Sequence, residues 1–445
     1  MVRAMLEAPI LPTLARLAWP TVIVLVVSSL VGVIETYFLG HLGTAALAGA
    51  ALVFPALMLL QMMSNGGIGS GVAAAVARAL GAGQRDDAEA LVFHALVLAV
   101  ILGGIFSVVL IAFAVPLYAW MGGHDDALAA AVLYSNAVFT AAIPICITAA
   151  MAAVLRGSGV VKVPAAVTMV GTALLIPLSA ALIFGWGPFP RLEIAGAGVA
   201  VLIYFLLSAA ALTAYLHRDA SPLRLRPARL EWRLFKAILG TGVLAAFNTI
   251  QSNLTVTLVT AGVGLLGMQA IAGYGVAVRL DYLLIPLLFG LGTAVLTMVA
   301  INMGAGQVAR ARKIAWTGAI AGVFITETIG LTAALFPQAW IGIFSDDPTI
   351  LATGARYLQI VGPTYGLFGL GMMLYFASQG ARRMFWPVLG GTLRLALAGF
   401  GAWAAARFLG ASLEVVFAIV AVATALFGVL IALALKFTSW SAQGA

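Results

Sequence analysis

The sequence predicts an all-α polytopic membrane protein with about twelve transmembrane helices in two parallel six-helix repeats. Three observations carry that expectation. Hydrophobic residues make up 63% of the 445 residues, charged residues only 9%, and the mean hydropathy is +1.12. A soluble domain carries about 25% charged residues, so the bilayer must be the solvent for most of this chain. The apolar stretches are continuous rather than alternating, and each reaches the roughly 20 residues a helix needs to cross the hydrocarbon core. Landmarks of the first half also recur at a fixed spacing in the second.

The spans are expected near 14–39, 45–74, 88–114, 127–154, 164–185, 194–216, 237–262, 268–300, 314–336, 350–379, 386–407 and 412–436. Arg3 and Arg16 precede the first apolar run, which is too long for a signal-peptide h-region and lacks a small-residue cleavage site; a retained first helix is expected. Cys146 is the single cysteine, so no disulfide or cysteine-ligated metal is expected within one chain.

The net charge of +8 is an orientation device rather than a nucleic-acid footprint. Arg78, Arg85, Arg156, Lys162, the Arg218–Lys236 segment, Arg310, Arg312, Lys313, Arg382, Arg383 and Lys436 all fall on one set of alternate links. The other set holds little beyond Arg191, Arg356 and Arg407. The positive-inside rule then places both termini in the cytoplasm of a multi-pass inner-membrane protein.

Val76–Gln84 reads VARALGAGQ, and Val299–Gln307 reads VAINMGAGQ. The interval from Gly81 to Gly304 is 223 residues, and it recurs for Tyr134 and Tyr357, Gly157 and Gly380, and Pro164 and Pro387. An even number of helices per repeat makes the repeat parallel. The expected domains are an amino-terminal six-helix lobe over 1–217, a cytoplasmic connector over 218–236 and a carboxy-terminal six-helix lobe over 237–445, with a central cleft for a ligand.

An ionisable group at the bilayer centre costs on the order of 2.5–3.5 kcal/mol, so each one requires a reason. Glu35, Asp281 and Glu327 are the three acids within the apolar runs. They are the candidate ion-coupling residues. Arg279 lies two residues before Asp281, on the opposite side of a helix, so the two are not expected to pair directly. For Glu327 a bond to a neighbouring helix competes with a coupling role. The candidate substrate-cavity residues are Gln61, Asn65, Asn248, Gln251, Asn253, Arg279, Tyr282 and Gln379. Arg394 is near enough to a helix end for snorkelling or pairing and is given no role. Gly69-Ser70-Gly71 and Gly157-Ser158-Gly159 resemble serine sites only superficially. The four histidines show no metal-ligand spacing, so no catalytic or metal site is expected.

Pro20, the segment Glu35-Thr36-Tyr37-Phe38-Leu39-Gly40 with Leu42-Gly43, and Ala77–Gln84 together resemble the signatures of MATE (multidrug and toxic compound extrusion) transporters. Leu182-Ile183-Phe184-Gly185, Gly196-Ala197-Gly198 and Tyr375–Gly380 extend the resemblance across nearly the whole chain. It implies a two-lobed secondary antiporter working by alternating access. Such a protein exports organic, often cationic, molecules in exchange for H⁺ or Na⁺ and holds no cofactor. The family's first-helix aspartate falls on Glu35. Its fifth-helix asparagine and aspartate fall on Leu175 and Ser179, and its sixth-helix threonine falls on Val201. No acid occupies Gln251–Asn253 or the tenth helix, so the chain resembles the DinF-like branch with a depleted amino-lobe ion site. The expected partners are a small organic substrate and the lipid bilayer, with a monomer as the unit and no nucleic acid. A lipid-linked oligosaccharide flippase of the same superfamily is the alternative, disfavoured by the scarcity of intramembrane cations. An enzyme is not expected.

Overall fold

The computed structural model describes residues 2–219, 221–438 and 440; the side chains of residues 29–33 and 36, Thr36 of the first motif among them, lie outside that description. The described residues fold into long helices, without a strand among them. Eleven are long and apolar enough to cross a membrane, and a bent pair brings the number to twelve. In chain order they are α1 (Ile10–Gly40), α2 (Thr44–Gly81) and α3 (Arg85–Ala112), then α4, made of Asp125–Thr140 and Ala142–Gly157. Next come α5 (Lys162–Phe184), α6 (Ile194–His217), α7 (Trp232–Gly264) and α8 (Met268–Gly304). The last are α9 (Val308–Leu335), α10 (Pro348–Gly380), α11 (Phe385–Phe408) and α12 (Leu413–Phe437). Each coincides with an apolar run of the sequence, and the ends extend by a few residues where polar first or last turns continue the helix.

By their contacts these helices form two compact units, one of Ile23–Val243 and one of Val2–Val22 with the chain from Leu244 onward. The boundary cuts α1 between Val22 and Ile23. The short helix Val2–Glu7 belongs with the second unit, where the carbonyls of Met5 and Ala8 accept from Asn302 and Arg310.

Several spans carry a proline, a π-helical stretch or a break, and these positions correspond at the repeat interval. A π-helical stretch, Met63–Ile68, lies within α2; 223 residues on from its first residue is Pro286, inside α8. The two parts of α4 meet at Ala141 with a 44° bend; the same interval gives Thr364, in the 3₁₀ turn Gly362–Thr364 that divides α10. Pro177 lies within α5, and its counterpart, Phe400, falls in the π-helical stretch Leu395–Gly401 of α11. Proline and π-bulges are the usual causes of a kink in a helix. Here one replaces the other at the same register.

Small residues set the helix spacing. A Cβ on Gly103 of α3 would come 2.5 Å from the Cα of Ile143 and 2.8 Å from the carbonyl of Ala142, beside the bend of α4. A Cβ on Gly104, the next residue, would meet nothing within 4 Å. Apolar helices in lipid gain little from burial against one another, so such close approach supplies the packing energy. Gly103→Val is therefore expected to destabilise the protein by about 1–3 kcal/mol through overpacking. Gly104→Val, with the same change in volume and propensity, should leave stability close to wild type. Thermal unfolding of the two purified variants in one detergent tests the pair; equal melting temperatures would contradict the packing assigned to Gly103.

Candidate functional site

The three intramembrane acids meet different surroundings. Asp281 lies on α8, a little more than one turn before Pro286. Its Oδ2 accepts from the Tyr357 hydroxyl at 2.7 Å, and its Oδ1 accepts from the Tyr365 hydroxyl. These tyrosines flank the Gly362–Thr364 break, so both pieces of α10 are tied to one carboxylate. Tyr357 also packs edge-on against Tyr274 and Phe417, with ring centroids 5.2 Å apart in each case.

Glu327 of α9 serves the same break from the other side. Its Oε2 accepts from the backbone N–H of Gly366 at 2.6 Å. That N–H lies in the first turn of the second piece of α10, where amides have no intrahelical acceptor. A carboxylate there is also favoured by the helix dipole. Glycine at 366 makes the contact possible, since a Cβ would stand 2.5 Å from Glu327 Oε2.

Arg279 and Asp281 do not pair. The Arg279 guanidinium sits 5.1 Å from the ring centroid of Phe344. Of the two alternatives for Arg394, the structure excludes snorkelling. It is not an end residue reaching water: its guanidinium lies over the rings of Phe368 and Phe427, at 5.0 and 5.8 Å, close enough to Asp281 for their charges to interact. Its Nε is buried without a hydrogen-bond partner. Arg394 directly precedes the π stretch of α11, which carries it inward.

An amide cluster lies in the same unit. Asn248, Gln251 and Gln379 are buried, whereas Asn253, Arg279 and Tyr282 are exposed. Gln251 Nε2 donates to Thr392 Oγ1 at 2.6 Å. The Tyr375 hydroxyl lies near the side chains of Asn248 and Gln379. The side-chain oxygens of Asn248 and Gln251 both face Gly391, where a Cβ would come 2.5 and 2.7 Å from them, and neither accepts a hydrogen bond.

In the amino-terminal unit, Glu35 Oε1 is buried and has no hydrogen-bond partner. Tyr134 and Tyr204 lie within electrostatic range of it. Tyr134 is the repeat counterpart of Tyr357, so in each unit the equivalent tyrosine stands near a carboxylate. The depleted positions are apolar or idle: Leu175 packs with Leu182 and Ala200 in an apolar cluster, and the buried Ser179 hydroxyl has no partner. Gln61 and Asn65 are half-buried at the π stretch of α2, where Asn65 donates back to the Gln61 carbonyl at 3.2 Å. The roles of Tyr365 and Arg394 carried no signal in the sequence; the repeat pairing of Tyr134 with Tyr357 did.

A polytopic helical bundle with buried acids and amides and with its spans broken at intramembrane polar groups is the build of a membrane transporter. The MatE family model matches residues 20–181 and 245–401, and the chain belongs to that family. Its relatives include the FAD transporter of Shewanella oneidensis, 28% identical over 381 residues, which span 84% of this chain and 82% of that protein. The probable multidrug resistance protein NorM of Thermotoga maritima is 27% identical over 350 residues, 78% of this chain and 75% of that one. Among solved structures, an outward-facing multidrug resistance MATE transporter of the MOP superfamily has the same fold, with a TM-score of 0.88, 20% identity and coverage of 98% and 97% of the two chains. A MOP superfamily transporter from Pyrococcus furiosus, described as having a binding pocket of reversed polarity, matches with the same TM-score, identity and coverage.

Losing one tyrosine hydroxyl leaves an Asp281 oxygen short of a donor, which costs about 1–3 kcal/mol for a buried acceptor and more where that acceptor is charged. Tyr357→Phe and Tyr365→Phe should therefore each lower the unfolding temperature, whereas Tyr282→Phe, at an exposed position, should not. A melt unchanged by both buried substitutions would remove Asp281 from its assigned network.

Proposed function

We propose that this MatE-family transporter is a secondary active antiporter that exports organic, drug-like molecules in exchange for an inward flow of cations by alternating access. It acts as a multi-pass inner-membrane protein with both termini in the cytoplasm and the single chain as the working unit. The repeat supports lobes over 1–217 and 237–445 joined by the connector 218–236. Coupling is assigned to Glu35 first, with Asp281 and Glu327 as further candidates. Gln61, Asn65, Asn248, Gln251, Asn253, Arg279, Tyr282 and Gln379 are the residues proposed to meet the substrate.

The observation that carries this reading is the unpartnered, buried Oε1 of Glu35. A buried carboxyl oxygen without a donor is costly, and a proton or a cation relieves that cost. Proton is favoured over sodium. A bare cation takes several oxygen ligands, and here Leu175 fills one such position with hydrocarbon. The same substitution, and the lack of an acid in α10, favour the DinF-like branch. The flippase reading is weaker, because Arg394 rests between phenylalanine rings rather than presenting its guanidinium to a pyrophosphate.

The test is gradient-driven efflux from liposomes holding the purified protein, under separate pH and sodium gradients. A fluorescent organic cation and, given the name of the Shewanella relative, FAD serve as the two probes. A pH gradient alone should drive export. Glu35→Gln is nearly isosteric, so it should bind substrate within a few-fold of wild type and lose at least about tenfold in gradient-driven rate. Full export by Glu35→Gln would move coupling to another residue, and no export of either probe by wild type would overturn the antiporter reading.

A further inference from the structure

His94 is fully buried near the cytoplasmic end of α3, and the transport reading makes no use of it. Its Nδ1 lies 2.8 Å from the carbonyl of Ala90, one turn earlier, so that nitrogen carries the proton. Its Nε2 accepts the backbone N–H of Glu231 at 2.9 Å. The two bonds together require the neutral ring with the proton on Nδ1. Glu231 is the last residue before α7, so the imidazole pins the end of the connector to α3. Phe235, one turn into α7, closes the ring edge-on with a centroid distance of 4.7 Å.

The rest of the connector is docked on the same unit by other means. Arg233 makes a bidentate pair with Asp87, at 2.7 and 2.8 Å, two turns before His94 on α3. Arg85 reaches the carbonyl of Pro222, and Arg78 reaches that of Ala237. Residues 224–231 form no helix, and Leu223 and Leu225 are buried while Arg226 is exposed. The charged groups near the His94 end of the elements around it are Arg85, Asp86, Asp87 and Glu89 of α3, Arg78 of α2, Arg156 of α4, and Arg224, Arg226, Arg229, Glu231, Arg233 and Lys236 of the connector and α7. Asp87 and Glu89 are engaged by Arg233 and Arg85.

We propose that the bond from the Glu231 amide to His94 Nε2 is a proton-sensitive latch that holds the connector against α3 and opens when the cytoplasmic side acidifies. A protonated imidazole turns Nε2 into a donor facing another donor. The Glu231 amide then has no acceptor, and the pair repels. The Asp87–Arg233 pair is unaffected by that step, so the latch loosens the segment without expelling it. Its release frees the Glu231 amide from α3, while Arg233 keeps the first turn of α7 tied to Asp87.

The test is hydrogen–deuterium exchange of the full chain in lipid nanodiscs at pH 7.5 and 5.5, with the exchange of residues 224–236 corrected for the intrinsic pH dependence of amide exchange. Wild type should lose protection in this segment at the lower pH, by about fivefold or more, while protection in α9 stays constant. His94→Gln should abolish the difference between the two pH values. Asp87→Asn should lower protection at both and keep the difference. Equal protection of wild type at the two pH values would overturn the proposal, and so would a difference that survives in His94→Gln.

Discussion

Inside the hydrocarbon core a polar group must find its partner within the protein, and the break in α10 is where that constraint bears hardest. Pro363 cannot donate, and the turn Gly362–Thr364 interrupts the ladder of backbone bonds. Glu327 reaches across from α9 to take the Gly366 amide, and Asp281 reaches from α8 to take the hydroxyls of Tyr357 and Tyr365 on either side. Two of the three intramembrane acids are thereby committed to one helix break. The crossing of α9 with α10 is lined by glycine to allow it: Gly330 faces the Gly362 carbonyl, and Gly369 faces Thr326. Removal of either acid would leave buried donors with no substitute from solvent.

The third acid stands apart. Glu35 keeps one oxygen unpartnered, while its electrostatic neighbours Tyr134 and Tyr204 are hydroxyls rather than charges. Asp281 has two donors and a nearby guanidinium, and Glu327 has a backbone amide. Of the three, Glu35 is the group whose chemistry in this conformation is incomplete. The difference between a satisfied and an unsatisfied carboxyl separates the acids more sharply than their common placement in apolar runs.

Much of the fold was legible in the sequence because its signal is coarse. A stretch of roughly 20 apolar residues has one outcome in a bilayer, and the 223-residue interval between landmarks needs no structure to be seen. The interruptions were harder. Pro177, Pro286 and Pro363 are visible as residues, yet the π stretches Met63–Ile68 and Leu395–Gly401 leave no residue signature, and they appear only as counterparts of a proline region in the other repeat. The partners of the acids were also hidden, since Tyr357 and Tyr365 converge on Asp281 only because α10 is broken between them. Where the Arg394 guanidinium rests was not legible either, because position along a helix does not show the two phenylalanine rings it lies over. The loss of the polar fifth-helix positions was legible, and the structure adds what fills them.

At two registers a proline within a helix of one repeat corresponds to a π-helical stretch in the other, so the position is kept while the residue identity differs. The carboxylates follow the same logic: Glu35 and Asp281 come from non-equivalent helices, yet each stands near the repeat-equivalent tyrosine. The account turns on Glu35 holding a proton that substrate displaces. Proton release on substrate binding, measured in weakly buffered detergent solution near pH 7 with an indicator dye, addresses that claim without any gradient. Wild type is predicted to release protons as the organic probe saturates it, and Glu35→Gln, binding the same probe, to release fewer by about one per chain. Equal release from the two proteins would contradict the account.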